Sequence, residues 1–105
     1  MSGAMPSWWQ GSSRLSDEEC REAVQDALDL LPEAIAAKLG NLAVIVEDAH
    51  PDGLMGVYDP SGGLQRIVIF RSANPSAAEV RRTVLHEVGH YFGMGEHQIR
   101  ELGYG

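Results

Sequence analysis

At 105 residues the chain has the length of one domain, and 44% hydrophobic residues are enough for a core without covalent staples. Fifteen acidic residues against eight basic ones give a net charge of -7, which argues against nucleic acid or an anionic membrane surface as partner. No apolar run reaches membrane-span length, no basic-then-apolar leader opens the chain, and the single cysteine, Cys20, rules out an internal disulfide; the expectation is a cytoplasmic protein.

Residues 1–15 are rich in Ser, Gly and Trp without periodicity, and read as a mobile tail ahead of one domain over 16–105. Trp8 and Trp9 are expected to pack back onto the body. Ser16 opens a helix through an S-x-x-E box ending at Glu19. Cys20, Val24, Ala27, Leu28 and Leu31 recur at helical spacing, so Cys20 reads as a small buried hydrophobe. Pro32 opens a second short helix over Glu33 to Leu39, closed by Gly40. Leu42 to Glu47 is a β-branched run and reads as a buried strand. His50, before Pro51, is expected to be a solvated loop histidine. Leu54 to Asp59 is a weaker strand, followed by the turn signal Asp59-Pro60-Ser61-Gly62-Gly63. Arg66 to Arg71 is the strongest strand.

A second S-x-x-E box, Ser76 to Glu79, starts the next helix. Val80, Val84, Leu85, Val88 and Phe92 form its apolar face. Beside that face runs His86-Glu87-Val88-Gly89-His90, an H-E-x-x-H motif. Histidines four apart share one side of a helix, so two imidazole nitrogens can meet one metal ion. Glu87 lies about 100° round the helix, where it can take a proton from water beside the metal rather than ligate. Gly93 is expected to end the helix in the left-handed conformation and turn the chain back. A third ligand is needed for a catalytic zinc site. Glu96 stands six residues past His90, where the H-E-x-x-H-x-x-G-x-x-H pattern delivers one; His97 is the adjacent alternative. A last helix, Glu96 to Leu102, should turn Ile99 and Leu102 inward.

The element order α, α, β, β, β, α, α predicts an α+β fold with helices against a small mixed sheet. With that order, the segments LPEAIAAKLGNLAVIVED, GLMGVYD, RIVIFR and above all TVLHEVGHYFGMGEHQIRELGY resemble the small single-domain zincin-like metallopeptidases of bacteria, over roughly residues 16–104. The resemblance implies a minimal zincin fold, Zn2+ as cofactor, and His86 and His90 as metal ligands. That family usually has Asp where Glu96 stands here. The resemblance also implies that an edge strand pairs with an extended peptide, a role that falls on Ile67, Val68, Ile69 and Phe70.

Two functions compete. In the first, the protein is a zinc metallopeptidase with a peptide or protein substrate, and Glu87 is the general base. Tyr91 and Tyr104 are then candidates for oxyanion support, though both read more readily as packing residues. In the second, it is a non-catalytic adaptor that keeps the zincin shell. Ligand count separates them, because a purely structural zinc site closes its fourth position with a protein ligand.

Overall fold

The computed structural model describes residues 15–40, 42–61, 63 and 65–101. The N-terminal tail with Trp8 and Trp9, and the C-terminal Leu102 and Tyr104, lie outside the described residues. Leu15, expected in the tail, instead packs against the core, and Arg71 donates to its carbonyl (2.9 Å).

Helix α1 (Asp17–Asp29) begins as its sequence dictates. Ser16 Oγ accepts from the Glu19 N–H (3.1 Å), and the Glu19 carboxylate accepts from the Ser16 N–H (2.8 Å). Its buried face is Cys20, Ala23, Val24 and Ala27. These are small side chains, which lets a neighbouring helix approach closely. Helix α2 (Glu33–Ala36) is one turn long, shorter than the expected Glu33 to Leu39, and the chain turns on to Gly40 at φ 57°.

Strands β1 (Ala43–Glu47), β2 (Gly56–Asp59) and β3 (Arg66–Phe70) form one sheet in the order β1-β3-β2. β1 runs parallel to β3, with Val44 opposite Ile67 and Val46 opposite Ile69. β2 is antiparallel to β3, with Gly56 opposite Ile69 and Tyr58 opposite Ile67. This corrects one expectation: Ile67, Val68, Ile69 and Phe70 are the central strand, not an edge. Both sides of that strand already carry sheet hydrogen bonds, so it has no backbone left to pair with a peptide. Its apolar run is the reason, since Ile67 and Ile69 are fully buried and a strand this apolar belongs in the middle of a sheet.

A 3₁₀ turn, Arg71–Ala73, links the sheet to α3 (Ala77–Tyr91), and α4 (Glu96–Glu101) follows. At α3 the Ser76 hydroxyl accepts from the Glu79 N–H (3.2 Å), while the Glu79 carboxylate lies 3.5 Å from Arg82. The core joins α1 to Val80, Val84, Leu85 and Val88 of α3 and to Ile67 and Ile69 of β3. Burying each such aliphatic side chain contributes about 1.5–3 kcal/mol. The α+β class expected from the element order is the one observed.

Candidate metal centre

α3 packs its apolar stripe on α1 and the sheet, which leaves His86 and His90 at the rim. Their rings meet edge to face, centroids 4.9 Å apart, as two imidazoles one helical turn apart should. The helix then ends in a Schellman motif. Gly93 takes φ 80°, its N–H donates to the His90 carbonyl (2.9 Å), and the Met94 N–H reaches back to the Gly89 carbonyl (3.0 Å). The Gly95 N–H donates to the side chain of Gln98 (2.9 Å) as α4 begins. The reversal expected at Gly93 is therefore present, and its consequence is the position of Glu96.

Glu96 Oε2 lies 2.7 Å from His90 Nε2 and 3.3 Å from His86 Nε2. One ligand atom from each of the three residues falls within 4.8 Å of the others. A tetrahedral zinc with bonds of about 2.0–2.1 Å sets its ligand atoms roughly 3.3–3.4 Å apart. The His86–Glu96 separation already matches that edge, and the His90–Glu96 pair needs only a small opening. Two imidazole nitrogens and one carboxylate oxygen are ligands that zinc accepts. The cluster fits the ion that the sequence implies. His97 is not part of it: its side chain is 83% exposed and lies 3.2 Å from Glu101 on the solvent side of α4.

Electrostatics separate the two glutamates. Hydrogen bonding to His90, helped by the charge of His86, holds the Glu96 carboxyl below the usual range, so Glu96 is the carboxylate that stays charged. Glu87 is only 8% exposed. Burial pushes its carboxyl up; His86 and His90 pull it partly back, and Glu96 adds a further push upward. A raised carboxyl beside a candidate metal has the properties of a proton acceptor that can later give the proton away.

The wall against Glu87 is β2. A Cβ on Gly56 would stand 2.7 Å from Thr83 Cγ2 and 3.3 Å from Glu87 Cγ, so only glycine lets this edge strand lie so close to the helix. Asn74 fixes the approach. It is fully buried, and its amide donates to the carbonyls of Phe70 (2.8 Å) and Met55 (3.0 Å). Its Oδ1 accepts from the Thr83 hydroxyl (2.6 Å). The end of β3, the entry to β2 and the helix one turn before Glu87 are thus tied together. Sequence reasoning missed Gly56, Asn74 and Thr83. Two signals were there to read: a lone glycine within a strand pattern, and a threonine among the apolar positions of α3.

The remaining candidates fall elsewhere. The Tyr91 hydroxyl donates to the Leu39 carbonyl (3.1 Å) and its ring packs edge-on to Tyr58, so it is the packing residue expected. His50 is half-buried rather than solvated: Phe70 covers its ring, and its Nδ1 accepts from the Asp52 N–H (3.0 Å).

An α+β unit with an H-E-x-x-H helix and a returning carboxylate is an arrangement that can hold a zinc ion. In agreement, residues 58–105, just under half of the chain, match the family model described as zincin-like metallopeptidase. The matched segment contains β3, α3 and α4, and with them every residue of the metal cluster. It is narrower than the resemblance drawn over 16–104. No curated protein matches the chain significantly. Among the described residues, no helix is long and apolar enough to cross a membrane.

Proposed function

We propose that the protein is a zinc-dependent metallopeptidase in which His86, His90 and Glu96 hold the metal and Glu87 is the general base. The observation that carries this reading is the meeting of three ligand atoms from two helices next to a buried, raised carboxyl. Zinc on such a donor set supplies Lewis acidity, acidifying water and polarising a carbonyl. The rest falls to the chain. Glu87 takes a proton from the attacking water as the new C–O bond forms at the peptide carbonyl. It returns that proton to the amine nitrogen as the C–N bond breaks. Its raised affinity for a proton serves the second transfer.

The substrate is an extended peptide, and the strand that receives it is β2 rather than β3. β2 is the edge of the described sheet that touches Glu87 through Gly56. Main-chain pairing there would give affinity with little sequence preference. The adaptor reading gains nothing from the geometry, because the cluster among the described residues offers three ligand atoms and His97, the sequence alternative, is turned to Glu101.

A digest of a peptide library by the zinc-loaded protein, beside Glu87→Gln, tests the reading. Wild type should cleave, and the variant should keep its zinc while losing about 10²–10⁴-fold in rate. Equal rates for the two, or no cleavage by wild type, would overturn it.

A further inference from the structure

We infer that Ile99 is the positioning residue that makes Glu96, and not its neighbour His97, the third metal ligand; the inference rests on the zinc reading above. α4 spans only Glu96–Glu101, too short to hold its own shape. Ile99 is its one buried residue, at 0% exposure. It is seated against Gly89, the residue just before the second histidine in the His86-to-His90 motif. A Cβ at Gly89 would stand 2.8 Å from Ile99 Cγ1 and 2.9 Å from Cδ1, so the side chain fills the notch that glycine leaves. The same Gly89 offers its carbonyl to the Met94 N–H (3.0 Å). One residue between the two ligands of α3 thus fixes both the turn and the docking of the helix that follows.

The rest is helical geometry. Residues three apart share a face, so seating Ile99 on α3 turns Glu96 toward α3 as well. His97 is about 100° further round and is carried to solvent. The distances agree: Glu96 Oε2 reaches both histidines, while His97 pairs with Glu101. An apolar contact away from the donor atoms therefore decides which donor the metal meets.

Competitive zinc titration of the full chain tests this, with thermal melting of the chelated proteins as the control for folding. Ile99→Ala should bind zinc about 10- to 100-fold more weakly, the cost typical of losing a residue that orients a ligand. Gly89→Ala should weaken zinc similarly while lowering the melting point of the chelated protein less than Ile99→Ala does, since the helix preference of alanine offsets part of the lost seating of Ile99. A merely structural role would move melting and affinity together. The double variant should recover part of the affinity, because the methyl added at 89 occupies space that Ile99 vacates. His97→Ala should leave binding unchanged, and Glu96→Ala should not. If His86→Ala loses zinc while Ile99→Ala and Gly89→Ala bind like wild type, the inference is wrong and the zinc reading survives. An effect of His97→Ala as large as that of Glu96→Ala would also overturn it. Should Ile99→Ala fail to fold, Gly89→Ala decides alone. If His86→Ala binds zinc normally, the zinc reading itself falls.

Discussion

α1 and α3 pack against each other and start with the same S-x-x-E signal, yet they bury different chemistry. α1 buries only Cys20, Ala23, Val24 and Ala27, and burial pushes the Cys20 thiol up from its usual range. α3 buries Val80, Val84, Leu85 and Val88 in the same core, but also Thr83 and Glu87. Burying a carboxyl carries a desolvation penalty and packs no better than an apolar residue of its size would. Packing explains everything α1 buries. It does not explain Glu87, the residue proposed as the general base. The lesson is to look for the polar residues that a helix has no structural need to bury.

Substitutions that separate the two helices sharpen this contrast. The largest effect is expected at the proposed ligands. His86→Ala and His90→Ala should each lose more zinc affinity than the roughly 100-fold that removing an outer partner can cost, with little change in the melting of the chelated protein, because both histidines sit at the rim. Metal analysis and calorimetry of the chelated forms measure the two sides. On α1 the pattern should invert. Val24→Ala should cost about 1–3 kcal/mol of stability and leave zinc affinity of the folded protein unchanged, as read by denaturant unfolding and zinc titration.

A smaller effect distinguishes the caps. Ser16→Ala should cost about 1–2 kcal/mol and Ser76→Ala about 0.5–1 kcal/mol, because the reciprocal Glu19 bond is made only at α1. Equal losses in urea melts would show that the second half of the box adds nothing.

The smallest effect is electrostatic and concerns the chelated protein. Glu87 has a folded pKa above its unfolded value, so the folded state holds more protons between the two. Its contribution to stability is then greatest below the ordinary glutamate pKa and is lost as pH rises through the raised one. Glu87→Gln should remove that decline. Wild type and variant should thus diverge in stability on going from acid to neutral pH, the variant ending as the more stable.

Much of this was legible in the sequence because the signals are local. The helix starts at Ser16 and Ser76, the reversal at Gly93, and the His86/Glu87/His90 triplet each depend on a few consecutive residues. Strand order was not legible. Arg66 to Arg71 looks the same as a string whether it lies at an edge or in the centre, and only pairing with both β1 and β2 makes it central. Asn74 was hidden for a related reason. Its partners Met55, Phe70 and Thr83 are brought together by the sheet, and no spacing in the chain announces them. Glu96 was legible by its spacing of six residues past His90, and the cluster contains it, whereas the seating of Ile99 against Gly89 is a tertiary contact that no spacing announces.

The most direct test of the central claim, an open hydrolytic metal centre on α3, is X-ray absorption at the zinc edge of the loaded protein, repeated on Glu96→Ala and His97→Ala. Two imidazoles, one carboxylate and one exchangeable water oxygen are expected in wild type, with the carboxylate lost only in Glu96→Ala. A fourth protein ligand in place of the water, or a third imidazole that disappears in His97→Ala, would contradict the account.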